Sequence, residues 1–191
     1  MSLVTESHQA KLSLGAQTSL QATLGNHPLR SAAAMPREYL SFRLGSEEYG
    51  IDILRVQEIR SYEAPTRIAN APRFVMGVVN LRGVIVPIID LRLKLGCSSA
   101  QYNEFTVVIV LTVLDRVIGV VVDSVSDVLE IAPDEVKPAP ALASSIDAGH
   151  ILGMGCLKQG DTERMLILTD IQALLTCPEM GLFDAPHPLS A

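Results

Sequence analysis

Gly77-Val-Val-Asn-Leu-Arg-Gly-Val-Ile-Val-Pro-Ile-Ile-Asp-Leu91 is the stretch whose reading decides the fold. Two apolar runs, residues 74–80 and 84–89, flank Arg82-Gly83, a dipeptide suited to a tight turn. Runs of this length, rich in β-branched Val and Ile, read as strands. Asp90 ends the second run and starts Leu91-Arg-Leu-Lys-Leu95, which Gly96 closes. The aspartate fits an N-cap, accepting the orphan backbone N–H groups of a short helix. The same ending recurs at Asp170, after Leu166-Ile-Leu168 and before Ile171-Gln-Ala-Leu-Leu175. Asp90 and Asp170 could instead form a catalytic carboxylate pair, but neither is accompanied by a partner acid or base motif, so capping is the better reading.

Outward from this stretch the same grammar repeats. Residues 39–44 alternate, Gly45-Ser-Glu-Glu48 supplies a turn, and residues 49–53 return, which is a hairpin signal. Further strand-like runs cover 56–60, 105–114, 117–122, 125–131, 151–157 and 165–168, with a second tight turn at Asp115-Arg116. Many short strands at such spacing predict a barrel or a sandwich with few, short helices. Residues 1–36 are rich in Ser, Ala, Gln and Thr, with sparse leucines. Such a segment buries too little to offset the entropy of ordering it, so a mobile extension is expected there. The tail 177–191 holds Pro178, Pro186 and Pro188 and is expected to leave the fold, which places the ordered domain at 37–176.

The two halves of that domain resemble each other. Gly50-Ile-Asp-Ile-Leu-Arg-Val-Gln-Glu-Ile59 lies over Gly119-Val-Val-Val-Asp-Ser-Val-Ser-Asp-Val128 without a gap. Gly50 meets Gly119, Val56 meets Val125 and Glu58 meets Asp127; further on, Met76-Gly77 lies over Leu152-Gly153, and Asp90 meets Asp170. The simplest physical reading is two similar small β-barrels, each near the size where a lone core is marginal. Packed together they would share burial, with the large aliphatic residues concentrated at their interface.

Composition narrows the function. Apolar residues make up 48% of the 191-residue chain and aromatics 4%, so Val, Ile and Leu must do most of the burying. A net charge of −6, with no cluster of Lys and Arg, argues against nucleic acid. No apolar run reaches the roughly 18 residues needed to span a bilayer, and no secretory signal opens the chain, so a cytoplasmic protein without direct membrane insertion is expected. Cys97, Cys156 and Cys177 form no Cys-x-x-Cys pair, and the four histidines are scattered, so no metal is expected. Hydrolase, zincin and Walker motifs are missing, and Gly153-Met-Gly155 has Lys158 where a dinucleotide fingerprint needs its third glycine. No cofactor and no enzymatic activity are therefore expected.

The quoted stretch, together with Glu47-Glu-Tyr-Gly-Ile-Asp-Ile53, Val56-Gln-Glu-Ile59 and Val117-Ile-Gly-Val-Val-Val-Asp-Ser-Val-Ser-Asp-Val-Leu129, closely resembles the chemotaxis coupling (adaptor) protein family, the CheW-like proteins. The resemblance runs from about Glu38 to Leu175; the chief departure is a longer N-terminal extension. It implies a mainly β fold of two tandem five-stranded SH3-like barrel subdomains around a shared aliphatic core. It also implies a scaffold, expected to be monomeric when free, whose partners are the cytoplasmic hairpin tip of chemoreceptors and the regulatory domain of the chemotaxis histidine kinase.

Arg82, at a turn between apolar strands, reads from the residues alone either as a solvated charge or as a planar, multi-donor anchor for a partner's carboxylates or carbonyls. The resemblance selects the second reading. Glu58 lies two residues after Val56, which on a regular strand places both on one face. We expect Val56 to offer apolar contact to a receptor helix and Glu58 to orient Arg82 through a charge-assisted hydrogen bond. Gly77, Gly83 and Gly119 complete the residues that the resemblance links to partner binding; backbone shape alone is the better reading for each.

Overall fold

The structure, a computed structural model, describes residues 35–97, 100–140, 149–159 and 162–178. The N-terminal extension before Met35 and the tail beyond Pro178 lie outside the described residues. The first hairpin is β1 (Arg37–Leu44) and β2 (Glu47–Asp52), followed by β3 (Val56–Ser61). The stretch around Arg82-Gly83 forms β4 (Val75–Leu81), β5 (Val84–Asp90) and the single-turn α1 (Leu91–Lys94). A second hairpin, β6 (Val107–Val113) and β7 (Arg116–Val122), runs into β8 (Ser124–Ile131) and the two-residue β9 (Val136–Lys137). The last hairpin, β10 (Ile151–Gln159) and β11 (Thr162–Thr169), ends in α2 (Ile171–Thr176).

Local chemistry accounts for the boundaries. Arg82 and Gly83 both take positive φ, 53° and 90°, as the two central residues of a tight hairpin turn should, and the Asn80 side chain accepts from the Gly83 N–H at 2.7 Å. The second turn sits one residue earlier than expected. Leu114 and Asp115 carry the positive φ values, 47° and 61°, while Arg116 already pairs with Val113. Both expected caps form: Asp90 accepts from the N–H of Arg92 and Asp170 from that of Ala173, each at 3.0 Å.

Two curled sheets result, of order β8-β1-β2-β11-β10-β9 and β3-β6-β7-β5-β4. The duplication holds down to register. Ser41 pairs with Gly50 as Val110 pairs with Gly119, and Gly50 meets Leu168 across a parallel pair as Gly119 meets Ile88. Matching β-bulges fall at Val75/Gly77 and at Ile151/Gly153. What the alignment of halves does not show is an exchange. The first repeat leaves β1 and β2 in the sheet that holds β8, β10 and β11, while the second leaves β6 and β7 with β3, β4 and β5. The sixth strand is β9, and its counterpart in the other sheet is only an isolated bridge, Thr66 to Val78.

The interface is where the aliphatics concentrate. Leu40, Phe42 and Ile51 from one sheet meet Ile89, Ile109, Leu111 and Val120 from the other, with Leu174 and Leu175 of α2 closing the layer. Each sheet also lines a smaller interior of its own, Val86, Ile88, Val108, Val110 and Val121 in one and Tyr39, Ile131, Leu166 and Leu168 in the other. Strand β6 is therefore buried on both faces, Ile109 and Leu111 into the shared layer and Val108 and Val110 into the barrel. This explains why its sequence reads as a continuous apolar run instead of an alternating one.

Candidate docking site

Glu58 on β3 and Arg82 at the β4–β5 turn come together. Arg82 Nη2 donates to Glu58 Oε2 at 3.0 Å, and Arg60 Nη1 stands 3.6 Å from the other carboxylate oxygen. Strands β3 and β4 are the two edges of the five-stranded sheet, so this bond ties the curled sheet across its gap. The Arg82 side chain is nevertheless 82% exposed, against 29% for Glu58. The turn thus projects a guanidinium whose orientation is set from one side while its other donors face outward.

Beside it the surface is apolar. Val84 and Ile85 are 52% and 62% exposed, and Leu114 on the neighbouring turn is exposed as well. One hollow is lined by Glu58, Leu81, Arg82, Val84, Val110 and Val117; a second, lined by Ile85, Pro87, Asp115 and Ile118, meets it at Val84 and Val117. Ile85 lies on the face of β5 that carries Ile89 of the shared layer, whereas Val84 lies on the face that carries Val86 and Ile88 of the barrel's own interior, so the patch borders both. An apolar hollow rimmed by charge has the chemistry that suits an amphipathic segment of another protein.

The six residues singled out from sequence divide in three. Glu58, Arg82 and Gly83 lie at the site. Val56 does not share Glu58's face, contrary to the reading of a regular strand. A bulge between them sets Val56 opposite Leu111, on the shared layer, and Glu58 opposite Val110, at the barrel mouth. Val56 is half-buried against that layer. Gly77 and Gly119 are buried and act through shape. A Cβ on Gly77, where φ is 137°, would collide with the Thr66 carbonyl. One on Gly119 would lie 2.5 Å from Ile88 Cδ1 and 2.8 Å from Val108 Cγ1.

Two polar clusters escaped the sequence reading. Arg92 is almost fully buried; its Nε and Nη2 clasp the Asp90 carboxylate at 3.0 and 2.7 Å, and Nη1 reaches Asp123 at 2.5 Å and the Gln101 carbonyl at 2.7 Å. Tyr102 donates to Asp90 at 2.9 Å, lies under the Arg92 guanidinium and stacks on Tyr62. Burial, then the hydrogen bond to Asp90, pushes the Tyr102 hydroxyl well above the usual phenol range. In the other barrel, Arg164 donates to both Asp127 oxygens at 2.9 Å and pairs with Glu48, while Ser41 bonds Asp127. The hydrogen bond from Arg164 holds both carboxylates below their ordinary values. The duplication carried a signal for this second cluster, because Asp127 is the counterpart of Glu58. Among the described residues no group of His, Cys, Asp and Glu is arranged to hold a metal.

Paired barrels with an exposed, pre-oriented arginine beside an apolar hollow define a protein-docking module. Comparison with known proteins gives the family. The CheW-like domain matches residues 38–179. The chemotaxis protein CheW of Klebsiella aerogenes is 55% identical over 148 residues, 78% of this chain and 87% of that protein. Protein FrzA of Myxococcus xanthus is 32% identical over 81% of this chain and 98% of its own length. The scaffolding protein TtCheW from Thermoanaerobacter tengcongensis, a crystal structure, superposes with a TM-score of 0.65 at 30% identity, covering 75% of this chain and 95% of that one. The chain belongs to the CheW-like family.

Proposed function

We propose that this chain is a non-enzymatic adaptor of chemotaxis, coupling transmembrane chemoreceptors to the chemotaxis histidine kinase so that receptors control kinase activity. Its docking domain spans 37–176, it works in the cytoplasm, and it joins membrane-associated arrays through its partners. No helix among the described residues is long and apolar enough to cross a membrane. The observation that carries the reading is the Arg82 side chain, held by Glu58 yet exposed beside Val84 and Ile85. A receptor tip offers amphipathic helices, whose apolar face suits that hollow and whose carboxylates suit the guanidinium. The kinase's regulatory domain would engage a barrel end. Because the two barrels share one core, both partners would bind a single rigid body, which fixes their relative geometry without any reaction by this chain.

Capture by a receptor cytoplasmic fragment and by the kinase's regulatory domain tests this. Wild-type protein should retain both, and the Arg82→Ala variant should lose retention of at least one. Protein that ignores both partners while turning over a small compound would refute the proposal. A second reading, the same adaptor in a receptor–kinase system controlling pili or development, is favoured by the similarity to FrzA, a relative whose name does not mention chemotaxis. The receptor fragments that the protein retains would separate the two.

A further inference from the structure

Arg82 occupies a backbone conformation that its own chemistry does not favour. It is the first central residue of the β4–β5 turn, at φ 53°. Asn, Asp and Gly dominate that position in two-residue hairpin turns, because a short amide or carboxylate bonds nearby backbone and glycine has no Cβ to clash. Arginine has neither advantage, so the turn needs support from elsewhere to keep it there. Asn80 supplies that support: its Oδ1 accepts from the Gly83 N–H at 2.7 Å. This N–H belongs to the peptide unit that follows the Arg82 Cα. Holding it fixes ψ of Arg82, and with it the direction in which the Cβ leaves the turn. Asn80 is not part of the lining of the hollow beside Arg82. It lines the neighbouring cavity at the gap between β3 and β4, with Arg60, Thr66 and Val78.

We propose that Asn80 is a positioning residue for docking: it holds the backbone end of Arg82 as Glu58 holds the guanidinium end, and so aims the arginine at its partner. The inference rests on the docking role given to Arg82 above. An arginine side chain is long and rich in rotamers, and an unrestrained one loses that freedom on binding. Here both ends are set beforehand, the far end by the bond from Arg82 Nη2 to Glu58 Oε2 at 3.0 Å. The two bonds do different jobs. Glu58 takes guanidinium donors that a partner's carboxylate would also take. Asn80 bonds the backbone and uses none of them. Asn80 therefore continues to aim Arg82 when a partner displaces Glu58.

The test titrates a receptor cytoplasmic fragment against the full chain as wild type, Asn80→Ala, Arg82→Ala and the double variant. Asn80→Ala should weaken binding roughly three- to tenfold, the range of a single hydrogen bond. In the Arg82→Ala background the same substitution should change nothing, because the group that Asn80 aims is gone. Asn80→Asp keeps an acceptor for the Gly83 N–H and should bind as the wild type does. In the free protein, nitrogen NMR relaxation should show the Gly83 amide and Arg82 Nε more mobile in Asn80→Ala and unchanged in Asn80→Asp. Equal losses from Asn80→Ala with and without Arg82, or unchanged relaxation, would overturn the proposal. So would Asn80→Ala binding at full strength while Arg82→Ala binds weakly; the docking reading itself would survive that result. Wild type and Arg82→Ala that bind the fragment equally, or not at all, would remove the docking reading and this proposal with it.

Discussion

Arg82 and Glu58 show how a weak bond can matter for binding and hardly at all for stability. An ion pair this exposed contributes about 0–1 kcal/mol to folding. Arg82→Ala should therefore leave the thermal midpoint almost unchanged. If Glu58 serves by orienting Arg82, the single variants and the double variant should each weaken receptor-fragment binding by a similar factor, read by titration; strictly additive losses would separate the two residues. The glycines behave oppositely. Gly83 has φ +90°, and a Cβ there would meet nothing within 4 Å, so Gly83→Ala should cost about 1–2 kcal/mol of backbone strain and little else. At Gly77 the left-handed backbone and the Thr66 carbonyl act together, and Gly77→Ala should cost about 3 kcal/mol or more in urea unfolding. Loss of partner binding in that variant would report on the fold, whereas the same loss at Arg82 reports on the contact.

At the level of elements, the charged clusters join strands distant in sequence. Arg164 on β11 holds Asp127 on β8 and Glu48 on β2, so a single guanidinium spans three strands of the six-stranded sheet. Both carboxylates titrate below their unfolded values. Their contribution is fully present above the unfolded carboxylate range, near pH 4–4.5, and disappears as pH falls through the depressed folded values. Urea midpoints measured from neutral pH down to pH 3 should fall steeply for the wild type. Asp127→Asn should start lower at neutral pH and fall less steeply. Tyr102 sets the opposite limb: its raised hydroxyl stabilises the fold below the ordinary phenol range, near pH 10, and that contribution is lost as pH rises through the folded value. Tyr102→Phe should flatten the alkaline loss.

The whole molecule depends on the exchange of hairpins between repeats. Neither barrel is a continuous piece of chain, since each borrows two strands from the other repeat and both border one aliphatic layer. Heat should unfold the domain in one transition, with calorimetric and van't Hoff enthalpies equal; two resolved transitions would contradict the shared core. The crossing from β7 to β8, where the chain leaves one sheet for the other, is pinned at Asp123. Its carboxylate accepts from Arg92 and, through the other oxygen, from the Gly45 N–H at 2.6 Å. Arg92→Ala would strand Asp90 and Asp123 without their cation. It should cost about 3–5 kcal/mol of unfolding free energy in denaturant titrations at neutral pH.

Strand periodicity, turn dipeptides and capping aspartates are local, so the hairpins, both short helices and the repeat could be read directly from residue order. Arg82-Gly83 announces its turn because both central positions need positive φ, and Asp90 announces its cap because a short carboxylate reaches the first helical N–H groups. The Glu58–Arg82 bond was expected with the help of the family resemblance, because residue order alone does not bring β3 to the β4–β5 turn. The bulge that turns Val56 away from Glu58 was not, because one extra residue in a ladder leaves no compositional trace. Nor was the barrel in which each strand resides: Val-rich strands pair with any neighbour of suitable register, and only packing both repeats around one aliphatic layer selects the exchanged arrangement. Residue order determined the elements and their twofold repetition. Tertiary structure alone decided which faces meet, because burial on both sides of strands such as β6 is a property of the assembled core and of no segment within it.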